Sequence, residues 1–316
     1  MRALVTGGAG FIGSNIVDAL LARGDEVVVV DNLSTGSRAN LDDALATGAT
    51  LHELDIVDAP SLQAAFEAER PDVVFHLAAQ IDVRRSVADP AFDARVNVEG
   101  TINVLEAARA SGAGRVIYSS TGGAIYGEAD VVPTPEDTPI RSLAPYGAAK
   151  HAGEGYLALY AALHGLSTMA LRYANVYGPR QDPLGEGGVI AIFCGCLAGG
   201  ATPLIFGDGE QTRDFVYVGD IVRANLLAAE RRDVTGSVNI GSGVETSVLD
   251  LADAMRALGG ETPFEPRFEP PRAGEVRRSC LDATQAGAKL GWQPEVDLHE
   301  GLRRTLAHVA AGATAR

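Results

Sequence analysis

Residues 5–13 read Val5-Thr6-Gly7-Gly8-Ala9-Gly10-Phe11-Ile12-Gly13, and this stretch decides the fold. A β-branched run (2–6) leads into the glycines and an amphipathic stretch (12–23) leaves them. The spacing satisfies G-x-G-x-x-G from Gly8 and also sets Gly7, Gly10 and Gly13 three apart. Such glycines let the chain turn tightly from strand to helix and let backbone N–H groups approach a pyrophosphate at the positive end of the helix dipole. The expectation is a dinucleotide site that uses Gly7, Gly10, Phe11, Ile12 and Gly13. Asp31 closes the next apolar run, 18 positions past Gly13. That is near the spacing of about 20 at which an acidic residue meets the adenosine ribose. A carboxylate there accepts from the ribose hydroxyls and repels a 2′-phosphate, so NAD is favoured over NADP.

The same rhythm continues outward. Near-continuous apolar runs at 26–30, 50–54, 72–77, 115–119 and 167–173 alternate with helical patterns at 61–69, 93–111 and 148–164. Runs without polar alternation suit parallel strands buried on both faces, and strand–helix alternation predicts a doubly wound α/β sheet of Rossmann type. Asp55 and Ile56 follow the third run, and Leu77-Ala78-Ala79 end the fourth; both are placed to flank a cofactor lying across the strand ends. After about residue 174 glycine, proline and charge become frequent and the elements shorten (214–218, 220–230, 237–240, 248–258). The reading is a dinucleotide domain over 1–174 and a smaller mixed α/β substrate domain over 175–316, with some segments crossing back to the first sheet.

The 316 residues carry 26 Lys+Arg against 41 Asp+Glu, a formal net charge of −15. So acidic a surface repels phosphate backbones, which argues against nucleic acid or an anionic membrane as partner. An anionic ligand would need local positive charge in a pocket. The three cysteines (Cys194, Cys196, Cys280) have no paired spacing, which argues against a disulfide framework or a metal cage and for a reducing, cytoplasmic setting. No apolar run is long enough to span a bilayer, and Met1-Arg2 leading straight into a strand does not read as a signal peptide.

Chemistry enters with Tyr146-Gly147-Ala148-Ala149-Lys150, a phenol and an ammonium at i and i+4 on one helix face. A phenol near its ordinary pKa of about 10 is no base at neutral pH. The expectation is that Lys150 and a positive nicotinamide ring favour the phenolate. Alone, such a pair reads as an exposed helix contact. It gains weight from Tyr118-Ser119-Ser120-Thr121-Gly122-Gly123-Ala124-Ile125-Tyr126-Gly127, which leaves the fifth run with hydroxyls at the carboxyl edge of the sheet. Thr121 is placed to share a substrate hydroxyl with Tyr146, while Ser119 reads on its own as a capping hydroxyl. Together these residues describe oxidation of an alcohol by hydride transfer to a nicotinamide.

These residues resemble the extended short-chain dehydrogenase/reductase superfamily and, within it, the UDP-glucose 4-epimerases. The resemblance runs through Thr6 to Ser14, Asp31-Asn32, His76 to Ala79, Asn97-Val98-Glu99-Gly100-Thr101, Tyr126-Gly127, Ser142 to Lys150, Leu171 to Arg180, Gly207-Asp208-Gly209, Arg213-Asp214, Asn239-Ile240-Gly241 and Leu290-Gly291-Trp292. It implies Asn32, Asn97, Ser119, Tyr173 and Lys150 as further cofactor contacts. It also implies Arg213 and Arg272 as bidentate donors to a UDP diphosphate. Asn175, Gly188, Val189 and Glu275 would touch phosphate or uridine, and Ser279 would line the hexose pocket. A homodimer is implied as well, through helices around 90–110 and the one carrying Tyr146, with Val96, Ile102, Leu105, Leu157 and Tyr160 fitting either that interface or burial on the sheet. No metal is implied.

One departure concerns Thr121. The stretch between Ser119-Ser120 and Tyr126-Gly127 is one residue longer than in many members, so counting from the right lands on Gly122, which has no hydroxyl. The same scaffold hosts other reactions, so the site must decide. Related dehydratases carry an Asp-Glu pair directly after the catalytic threonine; here Gly122 and Gly123 follow. Related decarboxylases carry a glutamate shortly before the Tyr-Gly pair; here Ala124 and Ile125 stand there. The resemblance therefore implies 4-epimerisation: Tyr146 takes the 4-hydroxyl proton, NAD takes the C4 hydride, and the flat 4-keto sugar turns before hydride returns. Ser279 is small, so a 2-acetamido group also fits, and nothing in the sequence bars a UDP-glucuronate.

Overall fold

The computed structural model describes residues 1–183, 188–260, 262–271 and 276–314. In chain order the strands are β1 (Arg2–Thr6), β2 (Glu26–Asp31), β3 (Thr50–Glu53), β4 (Val73–His76), β5 (Arg115–Thr121), β6 (Ser167–Tyr173), β7 (Asn175–Tyr177), β8 (Leu204–Phe206), β9 (Thr212–Tyr217), β10 (Gly236–Ile240), β11 (Glu245–Ser247), β12 (Arg267–Glu269) and β13 (Arg278–Ser279). Seven of them make one sheet in the order β3-β2-β1-β4-β5-β6-β10, every pair parallel. The doubly wound α/β architecture expected from the alternating runs is therefore present, with a smaller unit beside it.

The apolar runs explain the layering. Ala3, Val5, Val27, Val29, Val73 and Phe75 pack on one face with Ile16, Val17 and Leu20 of the Phe11–Ala22 helix and Ile221 and Ala224 of the Val218–Glu230 helix. Their alternates Leu4, Val28, Val30 and Val74 pack on the other with Phe66, Leu105, Leu157 and Tyr160. A strand apolar at every position can be sealed only by helices on both sides. Leu105, Leu157 and Tyr160 thus turn to the sheet, and the large apolar side chains exposed on the Pro145–His164 helix are Leu159 and Leu163.

Several boundaries differ from the sequence reading. The helix expected over 93–111 is three pieces: Pro90–Ala94, a π-helical turn Arg95–Glu99, and Gly100–Ser111. Apolar spacing does not reveal such a widened turn, and turns of this kind concentrate at functional sites. The helix expected from 148 starts at Pro145, whose fixed φ suits the first helical position, so Tyr146 and Lys150 share one helix. The segment at 237–240 is β10, which returns to the main sheet beside β6.

The second unit is organised around β9, which runs antiparallel to β11 and parallel to β13 and β7. β8 and β12 form a separate parallel pair. A third core of Tyr177, Phe193, Leu197, Phe215, Leu251 and Met255 fills this unit, and Phe11 and Ile12 at the start of the first helix pack against it. The glycine turn therefore sits where the two units meet.

Glycine substitutions separate close packing from mere flexibility. An added methyl at Gly13 overlaps the Gly7 carbonyl oxygen, whereas one at Gly155, on the exposed face of its helix, meets nothing within 4 Å. Gly13→Ala should lower unfolding free energy by about 1–3 kcal/mol through overpacking. Gly155→Ala should raise it by roughly 0.5–1 kcal/mol. Urea denaturation midpoints moving in opposite directions are the check.

Candidate active site

The sheet order reverses between β1 and β4, and parallel sheets open a ligand crevice at such a point. Gly7 adopts a φ of 70°, and a methyl there would lie 2.6 Å from the Ala78 nitrogen, so the turns leaving β1 and β4 touch. Gly10 has an ordinary φ of −79°, and an added methyl would meet only the Gly7 carbonyl oxygen, at 3.2 Å. The Phe11–Ala22 helix starts without a side-chain cap or an acidic residue in its first turn, which leaves the positive end of its dipole for an anion.

Asp31 at the end of β2 accepts the Ala9 amide (2.9 Å) on one oxygen and the Leu33 amide (2.8 Å) on the other. It fastens the glycine turn to β2 while each oxygen keeps lone-pair capacity for a ribose hydroxyl. Asn32 donates to Asp55 (2.9 Å), which in turn accepts from the Val57 amide (2.9 Å), so both are held at the crevice rim. Half-buried Leu77, Ala78 and Ala79 continue from β4. Ile56 turns its side chain into the core against Gly100, leaving only its backbone for a cofactor. The bare Gly10, the open helix end and the acid at β2 together fit NAD.

On the far side of β4, Lys150 is buried and donates to the Ser119 carbonyl oxygen (2.9 Å), with its ammonium 4.8 Å from the centre of the Tyr118 ring. Burial pushes Lys150 down to about 8, against the pull of Asp93 and then Glu154. Tyr146 does not follow the expectation from sequence. Burial, and then the Asp93 charge, hold its phenol above the ordinary range, and Lys150 is engaged with Ser119 rather than with the phenol. Thr121 is the half-buried last residue of β5. Among the described residues, neither its hydroxyl nor that of Tyr146 has a protein hydrogen-bond partner, so both are open to a ligand.

Around this pair lies polar wiring that sequence reasoning missed. Thr6 donates to His76 Nδ1 (2.8 Å), and His76 Nε2 pairs with Thr101 (3.0 Å), which donates to the Asn97 carbonyl (2.7 Å). Burial takes His76 down to about 3, so it is a neutral spacer. Asn97 itself, inside the π turn, donates to the Gln80 carbonyl (2.9 Å) and to Asp93 (3.0 Å) and accepts the Gln80 amide (3.0 Å). It holds the loop after β4 in place. Arg172 of β6 binds Glu154 through Nη2 (2.7 Å) and Nε (2.9 Å) and donates to Tyr126 (2.7 Å), which donates to Asn239 (2.9 Å) of β10. Ser120 also donates to Glu154 (2.6 Å), so the end of β5 is tied on both flanks. Tyr173, expected at the cofactor, is a core residue whose hydroxyl pairs with Asn225 (3.0 Å).

Of the substrate candidates, Asn175 on β7 comes close to the turn after Thr121: a methyl on Gly123 would lie 3.7 Å from its Oδ1. Arg213 and Ser279 are register partners on β9 and β13, and Arg213 also donates to the Thr212 carbonyl (2.8 Å). Gly188 caps the Val189–Gly199 helix. Arg272 and Glu275 lie outside the described residues. Glu128 was not anticipated as a contact; it accepts the Arg277 amide (2.7 Å) and anchors the approach to β13 from the first unit.

Residues 3–241 match the model of the NAD dependent epimerase/dehydratase family. The chain belongs to that family. It is 50% identical over 307 residues to a UDP-glucose 4-epimerase of Mycolicibacterium smegmatis, covering 97% of each chain. A crystal structure of UDP-glucose 4-epimerase from Thermotoga maritima with UDP-glucose superposes over 100% of both chains with a TM-score of 0.94 and 48% identity. A Thermus thermophilus UDP-glucose 4-epimerase in complex with NAD covers 98% of this chain and 99% of its own, with a TM-score of 0.91 and 43% identity.

Burial pushes Glu154 up, but its bonds from Arg172 and Ser120 outweigh this and hold it below the ordinary 4.5. A carboxyl whose pKa is lowered by folding stabilises above its unfolded value and loses that contribution as pH falls. Glu154→Gln should destabilise by about 3–5 kcal/mol at pH 7 by leaving Arg172 buried without its anion. That difference from wild type should shrink as pH drops below 4.5 in denaturation series; a difference independent of pH would contradict the ion pair.

Proposed function

We propose that the protein interconverts UDP-glucose and UDP-galactose, inverting C4 with a tightly held NAD. The observation that carries this is a pair of hydroxyls without a hydrogen-bond partner among the described residues: Thr121 at the end of β5, followed by Gly122 and Gly123, and Tyr146 on the helix that Lys150 fastens to β5 through the Ser119 carbonyl. NAD, when bound, supplies the acceptor and later the donor of the hydride at C4, and its positive ring favours the Tyr146 phenolate. The residues of the chain do the rest. Thr121 orients the 4-hydroxyl, and Tyr146 receives its proton and returns it after the flat 4-keto sugar has turned. Lys150 holds positive charge beside the reacting oxygen. Gly122 and Gly123 carry no acid to expel water or take a C5 proton, so the chemistry stops at inversion.

Cofactor would occupy the 1–174 unit, with Gly7, Gly10, Gly13, Asp31 and Lys150 as its main contacts. The nucleotide sugar would occupy the 175–316 unit, with Arg213 and Arg272 on the diphosphate and Asn175 beside it. Ser279 leaves room for a 2-acetamido group, which supports UDP-N-acetylhexosamines as further substrates. Leu159 and Leu163, exposed on the Tyr146 helix, support a homodimer through that helix. All three cysteines are unpaired, which supports a cytoplasmic setting, and no helix among the described residues is long and apolar enough to cross a membrane.

The test is direct. Purified protein given UDP-galactose without added NAD should form UDP-glucose. Tyr146→Phe should lower kcat by about a hundredfold or more while bound NAD is retained, as expected for loss of a general base. Full activity in that variant, or no UDP-glucose from a preparation shown to hold NAD, would overturn the assignment.

A further inference from the structure

Gly122 and Gly123 follow Thr121, and the surroundings of the two differ. Neither has a φ in the left-handed region, so neither is glycine for backbone freedom. A methyl on Gly123 would meet only Asn175 Oδ1, at an ordinary 3.7 Å. A methyl on Gly122 would overlap Leu281 Cδ1 and lie 2.7 Å from Cδ2 and 3.1 Å from Cγ. Leu281 belongs to the second unit, two residues past β13, and is 1% exposed, packed with Ile125 and Tyr126 of the first. Its amide donates to the buried Asp214 carboxylate (3.2 Å). Thr134 of the first unit grips the chain on either side: its amide donates to the Cys280 carbonyl (2.8 Å) and its carbonyl accepts the Asp282 amide (2.9 Å). Held from both units in a close-packed interior, Leu281 has no easy way to back off from Gly122. The turn it presses on carries the Thr121 hydroxyl. Thr121 stands in the capping position of the short helix Gly122–Ile125, where a threonine side chain commonly accepts a backbone N–H, yet it makes no cap bond.

We propose that Leu281 is a positioning residue for Thr121: wedged against Gly122, it fixes the turn leaving β5 so that the Thr121 hydroxyl stays out of the helix cap and open to the sugar. The wedge also bears on which reaction the site can perform. Position 122 is where the related dehydratases carry the first acid of their Asp-Glu pair, and Leu281 fills the room that such a side chain needs. The segment that carries Ser279 and, through β9, lies beside Arg213 thus also sets the geometry of a hydroxyl in the first unit. This deepens the proposed role of Thr121 and rests on the proposed function for its kinetic readout alone.

Leu281→Ala removes the three atoms nearest to a methyl at position 122, so changes at the two positions should compensate. In full-length protein as purified, with UDP-galactose as substrate, Leu281→Ala and Gly122→Ala should each lower kcat by about tenfold, as expected for a reacting group displaced by a fraction of an ångström, with KM unchanged. The double variant should recover most of that loss, and the volume-conserving Leu281→Met should lose little. Carbon-13 labelling of threonine methyl groups follows Thr121 without turnover, its signal being the one missing from Thr121→Ser. That signal should shift in both single variants and return toward its wild-type position in the double. Unchanged kcat in Gly122→Ala, which opens no cavity, would overturn the proposal, as would a double variant no faster than Gly122→Ala. If the wild-type protein leaves UDP-galactose unconverted, the proposed function falls and the Thr121 signal decides. A signal unmoved in both single variants then overturns the wedge, and a shift reversed in the double upholds it.

Discussion

One contact sets the geometry of everything chemical in this protein: the helix carrying Tyr146 is locked against the end of β5. Lys150 reaches the Ser119 carbonyl, and Gly147 lies so close to the Ala124 carbonyl that an added methyl would overlap it. A bulkier residue at 147 would lift the helix and take Tyr146 away from Thr121. Because β5 and β6 are both buried on two faces, neither can shift to compensate, since interiors packed to crystal-like density transmit displacement. The Tyr146 and Thr121 hydroxyls are thus mounted on rigid elements, which is what positional catalysis requires.

That rigidity is purchased with buried charge. Glu154, Arg172, Tyr126 and Asn239 stitch the helix to β6 and β10, and Asn97 with Asp93 stitches the loop after β4 to the π turn. Buried polar networks of this kind are costly when incomplete and specify one arrangement when complete. Among the described residues the incomplete points are Asp93 Oδ2 and the hydroxyls of Thr121 and Tyr146, which have no protein hydrogen-bond partner. The second unit is tied in separately: the buried Asp214 carboxylate accepts the amides of Ser242 (2.7 Å) and Leu281 (3.2 Å), next to Arg213.

Much of this was legible in the sequence, for physical reasons. The glycine spacing of 7–13 and the unbroken apolar runs carry the fold, because close backbone approach and two-sided burial each demand those residue types. Tyr146 and Lys150 were legible because i,i+4 spacing fixes a shared face. The wiring was not, since hydrogen-bond partners such as Arg172 and Glu154 are 18 residues apart and meet only through the sheet. A signal existed: Arg172 follows the buried apolar run 169–171 of β6 and His76 ends the apolar run of β4, and a polar or charged group buried in a strand needs a partner. Periodicity also could not separate the π turn from ordinary helix. Nor could it show that Ile56 and Tyr173 face the core, since a side chain next to a crevice is as easily packed away from it.

Inversion by oxidation and re-reduction confines the chemistry to a single carbon of the sugar. Turnover of UDP-galactose carrying deuterium at C4 tests it most directly. The label should be found at C4 of the UDP-glucose formed, with none released to solvent, because the same hydride leaves and returns. Loss of deuterium to water, or its appearance at another carbon, would mean that Tyr146 and its surroundings perform a different reaction.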